Sequence, residues 1–348
     1  MIHEVGMSLI LAALAFVSSA WITRYLCNPR SRLHMLDHPN PRSLHDNPTP
    51  RGGGLAIFVA IAIGGTIAMV FDGGRGDVAW LALAAVLVAG ISFLDDWFTI
   101  ALGYRIVTHF AASGLLLWSG FALQELALPG AVWPLSALLA VGLSLLFVVW
   151  MVNLYNFMDG MDGFAGGMAV IGFGVFALFG WLAGQQLFAA LNLIVAAAAG
   201  GFLLFNFPPA RIFMGDIGSS SLGFLAAAFI LWADRNGIFP LWIGVLVFSP
   251  FIVDATVTLI RRILRGDKFW EAHKTHYYQR VVQLGWGHRR TVLWEYAVML
   301  LCALSALIAR YLTPSGQWIM IAMWLLAYLV ITIVVHQLEA RRDAIMTR

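Results

Sequence analysis

Eleven apolar runs, read as candidate membrane-spanning helices, leave this chain almost no choice of fold class. They cover approximately residues 4 to 24, 53 to 71, 78 to 94, 104 to 121, 132 to 152, 164 to 183, 187 to 206, 219 to 233, 239 to 260, 292 to 311 and 316 to 338; roughly 20 apolar residues are what a spanning helix needs. The eighth is short and the sixth and seventh are closely spaced, so ten spans is the alternative count. Charged residues make up 11% of the chain and hydrophobic ones 61%, against roughly 25% charged in a soluble domain. The expected fold is therefore an all-α polytopic integral membrane protein of about 11 (10-11) transmembrane helices, whose partner is the lipid bilayer and not nucleic acid. No internal repeat, low-complexity run or soluble domain interrupts residues 1-348, which read as one membrane-embedded domain. The first run is preceded by His3 and Glu4, lacks a basic leader and is followed by Arg24, so it reads as a retained span. Cys27 and Cys302 have neither disulfide nor metal spacing.

Lys and Arg orient the spans. The loops after the odd-numbered spans, together with the C-terminus, hold 18 of the 21 Lys and Arg, and the other side keeps Arg75, Arg235 and Arg310. The positive-inside rule puts the N-terminus outside and those loops and the C-terminus in the cytoplasm. The polar motifs fall on that same side.

Asn153 to Gly167 reads N-L-Y-N-F-M-D-G-M-D-G-F-A-G-G. Asn153, Asn156, Asp159 and Asp162 between two apolar runs carry a desolvation cost that a ligand, a metal or water must offset, and the glycines permit sharp turns and close approach to a ligand. A plain polar turn is the other reading. Asp37 to Gly54 is rich in Pro and Gly: an extended connector, or a phosphate-facing turn in which His45 and Arg51 precede Gly52, Gly53 and Gly54 at a helix N-terminus. Asp95 and Asp96 close the third span, where two adjacent carboxylates repel each other, are disfavoured by the helix dipole, and raise one pKa or recruit a divalent cation. Asp216 precedes Gly218 and Ser219 to Ser221, so one serine is a candidate helix cap while Asp216 binds metal; Phe213 is placed to stack on a planar base. The loop from Arg261 to Thr291 carries eight basic residues against Asp267 and Glu271. His273 and His276 share a face if that loop is helical, and without a third ligand they suit phosphate better than zinc. Within the spans, Asp254 reads as paired with nearby Arg261 or snorkelling, and His109 as a satisfied packing residue.

So many aspartates would repel a phosphate unless a divalent cation lay between them. Mg²⁺ (or Mn²⁺) suits oxygen ligands shared with substrate phosphates, the basic loop suits the remaining phosphate charge, and a cleft between spans suits a long apolar tail. Taken in order, D-H-P-N-P-R…P-T-P-R-G-G-G, D-D-W, N-x-x-N-F-M-D-G-M-D-G, F-M-G-D-I-G-S-S-S-L-G and H-K-T-H, over about Asp37 to Arg290, resemble the motif set of the polyprenyl-phosphate N-acetylhexosamine-1-phosphate transferases. The resemblance implies a membrane transferase of the inner (cytoplasmic) membrane with a UDP-HexNAc donor, an undecaprenyl phosphate acceptor and UMP as product; a homodimer is compatible with it. It further implies Asp216 as a Mg²⁺ ligand with Asn156, and Asp95 and Asp96 as base or metal-site residues. Asp159 and Asp162 would lie near the nucleotide and metal with Asn153 and Arg51, Phe213 near uracil, and His273 and His276 near the donor pyrophosphate. The peptidoglycan branch has three consecutive histidines in the last loop; H-K-T-H-Y-Y-Q-R here argues against a muramoyl-pentapeptide donor. It looks more like the O-antigen-initiating branch, with N-acetylglucosamine or 6-deoxy sugars such as N-acetylfucosamine and N-acetylquinovosamine as donors.

Two other classes compete. A transporter would use Asp95, Asp254 and His109 as an ion path, but transporters place their polar residues near mid-membrane within paired repeats. CDP-alcohol phosphotransferases also use D-G pairs, but Asp159-Gly160 is not followed by Ala-Arg.

Overall fold

A computed structural model describes residues 2–33, 35–39, 43–268 and 273–346. Glu271 and the Asn40, Pro41 and Arg42 of the first loop motif lie outside them. All eleven apolar runs are helical: α1 (Ile2–Leu26), α2 (Gly53–Phe71), α3 (Gly76–Phe98), α4 (Leu102–Trp118), α5 (Ala137–Phe157), α6 (Phe164–Leu182), α7 (Gln186–Asn206), α8 (Asp216–Arg235), the pair α9 (Leu241–Val247) and α10 (Ser249–Leu264), then, after short α11 (Tyr277–Val281), α12 (Gly287–Ala309) and α13 (Pro314–Met346). Among the described residues nine helices are long and apolar enough to cross a membrane, and ten if the bent pair counts as one. The count falls short of eleven at α4, whose 17 residues reach only about 25 Å at 1.5 Å per residue.

The ninth run is one apolar stretch but not one helix. α9 and α10 meet at 84°, with Pro250 in the first turn of α10, where its missing N–H leaves the upstream carbonyls free to end α9. Strands are confined, among the described residues, to two antiparallel pairs: β1 (Met35–Asp37) with β2 (Thr49–Arg51), and the hairpin of β3 (Glu125–Leu128) and β4 (Ala131–Pro134), which delays α5 to Ala137.

α8 is the axis of the bundle. Every residue from Ile217 to Ala233 is buried, and α2, α3 and α5 pack around it. Its small residues make this possible, because helices in lipid associate by close packing, with no hydrophobic drive between them. At Gly223 a Cβ would sit 2.5 Å from the Met151 carbonyl of α5, and at Gly54 a Cβ would sit 2.2 Å from the Gly218 nitrogen. The first turns of α2 and α8 therefore touch backbone to backbone. That contact fixes where the loops at this end of the bundle meet.

Candidate active site

The loops before α2, after α5 and before α8 converge with the last turn of α3, with α11 and with the start of α12 on a cleft of about 220 Å³. Seven predicted site residues line it: Arg51, Asp96, Asn156, Asp159, Asp162, Phe213 and Asp216. Asp95, Asn153, His273 and His276 do not line it. Asn153 donates its amide back to the Val149 carbonyl one turn earlier (2.7 Å).

The two carboxylates of D-D-W point to different tasks. Buried Asp96 accepts the Asp216 and Ile217 amides, both at 3.1 Å, and so caps α8 from another helix, where an anion is favoured by the unpaired N–H groups and the dipole. The expected serine cap is absent; Ser219 instead donates to the Gly215 carbonyl at 3.1 Å. Arg51 reaches the Asp96 carboxylate at 3.3 Å and also donates to the Asp96 carbonyl. Asp95 accepts the Ile100 amide at 2.6 Å and pairs with Arg105 of α4 at 2.5 Å, while the other guanidinium nitrogen of Arg105 lies 3.2 Å from Asp216. The adjacent carboxylates thus turn to different partners.

Asp159 remains as the charge problem. The half-buried carboxyl lies in the loop after α5, and its pKa is raised well above the usual carboxylate range, first by desolvation and then by the charges of Asp216 and Asp96, against a favourable bond from the Gly215 backbone. Four carboxylates (Asp95, Asp96, Asp159, Asp216) face two arginines (Arg51, Arg105), an excess of negative charge at a site with oxygen donors. Asn156 gives its amide N–H to Ser219 at 3.1 Å, which leaves its side-chain oxygen available to a ligand. No three His, Cys, Asp or Glu among the described residues cage an ion. This donor set fits a hard cation that keeps several waters and shares its remaining positions with substrate phosphates.

Glycines thought to serve a ligand serve packing. The Gly53 and Gly54 amides donate to the Phe213 and Met214 carbonyls at 2.9 and 2.8 Å, and Phe213 donates to Pro50 at 2.8 Å. The start of α2 therefore offers these N–H groups to the neighbouring loop, and not to phosphate. The pairing holds Phe213 at the cleft, its ring 4.8 Å from that of His45. In the D-G-M-D-G loop, a Cβ on Gly160 would meet the Tyr278 hydroxyl at 2.2 Å and one on Gly167 the Tyr296 ring at 2.0 Å; Tyr296 also donates to the Gly163 carbonyl at 2.6 Å. Asp162 accepts the Ala210 amide at 3.0 Å and lies 3.0 Å from His288, so it ties three loops together at the cleft wall.

Asp254 does not pair with Arg261. It accepts the Tyr277 and Tyr278 amides at 2.9 and 3.1 Å and faces His276 at 3.2 Å, capping α11 as Asp96 caps α8. His273 and His276 lie on the loop before α11 with rings 4.8 Å apart, and burial followed by the nearby His276 and Arg262 charges lowers the His273 pKa to about 4. His109 is not satisfied: it is 1% exposed and neither ring nitrogen has a partner among the described residues.

Reasoning from sequence missed Arg105, His288, Asn206 and Gln279. Arg105 sits just past D-D-W, and its position at the start of an apolar run was a usable signal. Asn206 accepts the Gly163 amide and donates to the Ile212 carbonyl, at 2.9 and 2.8 Å; nothing in the sequence marks such a staple.

Residues 78–234 match the family described as glycosyl transferase family 4. The chain is similar to a probable undecaprenyl-phosphate N-acetylglucosaminyl 1-phosphate transferase of Bacillus subtilis (strain 168), 30% identical over 285 residues, covering 81% of this chain and 79% of that protein. It is 31% identical over 336 residues to the decaprenyl-phosphate N-acetylglucosaminephosphotransferase of Mycobacterium tuberculosis (strain ATCC 25618 / H37Rv), covering 87% and 83%. A phospho-N-acetylmuramoyl-pentapeptide-transferase of Geobacillus kaustophilus (strain HTA426) is 31% identical over 269 residues, covering 74% and 82%.

Proposed function

The chain belongs to the polyprenyl-phosphate N-acetylhexosamine-1-phosphate transferases, and on that premise we propose that it transfers a HexNAc-1-phosphate from a UDP-HexNAc to undecaprenyl phosphate at the cytoplasmic face of the inner membrane, starting a lipid-linked O-antigen or related envelope polysaccharide. The observation that carries this reading is the meeting of Asp96, Asp159 and Asp216 with Arg51 and Phe213 in one cleft at the end of the helices, joined by Arg105 through Asp216. The excess of Lys and Arg at that end supports a cytoplasmic site. The names of the B. subtilis and M. tuberculosis relatives make N-acetylglucosamine the first donor to try, with the 6-deoxy sugars as the other arms.

In the reaction an acceptor phosphate oxygen attacks the phosphorus that bears the sugar, the bridging P–O bond breaks, and UMP leaves with the bonding pair. Arg51, which lines the cleft, offers its guanidinium to the phosphate oxygens, Arg105 holds Asp95 and Asp216 in place, and Phe213 with His45 offers a stacking surface for uracil. Asp95 and Asp96 have their oxygens committed to Arg105, Ile100 and the first turn of α8, so they act by positioning. Asp159, whose pKa is raised, is the carboxyl suited to take the proton of the acceptor phosphate. Asp216 and the Asn156 oxygen would hold Mg²⁺, which when bound neutralises pyrophosphate charge. Purified protein with Mg²⁺, undecaprenyl phosphate and UDP-N-acetylglucosamine is expected to release UMP, and Asp216→Asn to lower that rate by about 10²-fold or more. If no donor of a UDP-HexNAc panel yields UMP, the proposed reaction is excluded, and full activity in Asp216→Asn removes the metal assignment.

Metal and proton compete for the same carboxylates. Because the Asp159 pKa is raised on folding, its contribution to stability is complete below the unfolded carboxylate value of about 3.9 and is lost as pH rises through the folded value. A cation offsets that loss only where Asp159 is ionised. Across a pH series, chelating Mg²⁺ is therefore expected to lower the melting temperature more at the alkaline end than at the acid end; an equal shift throughout would rule out Asp159 as part of the cation's environment.

A further inference from the structure

On the far side of α11 from the cleft lies a second cavity, of about 410 Å³, lined by six Arg and Lys against Asp267, Glu339 and Asp343. Arg261, Arg265, Lys274 and Arg342 among its lining residues have no ion pair with a described residue. Next to it, between α10, α12 and α13, is an apolar cavity of about 360 Å³ whose walls include Val253, Val281, Trp294 and Val334. No residue lines both, yet the two sets interleave: Val257 with Thr258 on α10, and Leu338 with Glu339 on α13, face one cavity and then the other. Tyr277 stands between them. It lines the apolar cavity, its hydroxyl accepts from Arg261 at 2.9 Å, and the Arg280 guanidinium lies 4.7 Å from the ring centre.

We propose that this face holds one anionic phospholipid of the bilayer, its phosphodiester in the basic cavity and an acyl chain in the apolar one. The charge excess calls for an anion, and the adjoining apolar walls call for an anion that carries a hydrocarbon chain, the pattern by which basic pockets between spans hold lipid head groups. The occupant is not the acceptor in turnover. Gln279 of α11 faces the cleft and Arg280 the basic cavity, and no residue lines both, so a phosphate bound beside Arg265 and Arg342 is walled off from Asp216.

The full chain in phosphatidylcholine nanodiscs with graded phosphatidylglycerol, read by native mass spectrometry, tests this without requiring turnover, so it stands or falls separately from the proposed reaction. The wild type is expected to retain one phosphatidylglycerol. Arg265→Gln with Arg342→Gln should weaken retention roughly thirtyfold, with UMP release near the wild-type rate because neither residue touches the cleft. Val334→Trp, which fills the apolar cavity without changing charge, should weaken it about tenfold. Equal retention of phosphatidylcholine, or wild-type retention by the double variant, would overturn the site. Undiminished retention by Val334→Trp, or displacement by inorganic phosphate, would reduce it to an anion site and overturn the lipid. Displacement by undecaprenyl phosphate at equal concentration would assign the face to the acceptor instead.

Discussion

Arg105→Ala is expected to cut UMP release by about 10²- to 10³-fold, as large an effect as removing a carboxylate from the cleft. Arg105 is the only described residue that reaches both Asp95, at 2.5 Å, and Asp216, at 3.2 Å. Without it, Asp95 keeps one amide bond but loses its counter-charge in a site where its side chain is 9% exposed, and Asp216 is free to turn from its place at the start of α8. A broken, fully buried pair costs roughly 3–5 kcal/mol. Here the cost should be nearer about 2 kcal/mol, since Arg105 keeps some contact with water. Arg105→Lys separates the two roles: a single ammonium can restore neutrality but cannot fork between two carboxylates, so stability should recover while the rate stays low. UMP release and melting temperature measured on both variants decide the matter. An alanine variant within threefold of wild type would show that Asp216 is placed by α8 alone.

The spans were legible because an apolar run of twenty residues has one outcome in lipid, and the site's end of the bundle was legible because its polar motifs share a side with the basic residues. Hydrophobicity alone could not show the break at Phe248, since α9 and α10 are both apolar and only Pro250 interrupts them. It also could not assign the aspartates. Asp96, Asp162 and Asp254 look like Asp216 in the sequence, yet each turns out to hold backbone amides of another segment. Those partners lie 48 to 121 residues away for Asp96 and Asp162, so local spacing carries no trace of them. The glycines misled for a related reason. A motif rich in Gly announces a close approach but not what approaches, and at Gly160 and Gly167 it is a tyrosine.

Gly218→Ala is expected to lower activity by about 10- to 100-fold although residue 218 need touch no substrate. The added methyl would lie 2.3 Å from the Met214 side chain and 2.7 Å from the Gly54 Cα. Met can swing aside, but the backbone of α2 can yield only by moving the whole first turn. That turn follows directly on Arg51, which ends β2, and α8 carries Asp216 on the other side of the contact, so the two walls of the cleft separate by whatever distance the methyl demands. A misplacement near 1 Å can cost about 10²-fold in rate, and overpacking a tight contact costs about 1–3 kcal/mol in stability. Gly90→Ala is the matched control, because α3 leaves open space around that position and alanine there favours the helix by roughly 1 kcal/mol. The comparison isolates geometry from composition: both variants add one methyl to a helical glycine, and only one of them lies where two helices meet backbone to backbone. Equal rates and melting temperatures for the two would mean that the α2–α8 contact does not set the spacing of Arg51 and Asp216, and the cleft would have to be held by the loop hydrogen bonds alone.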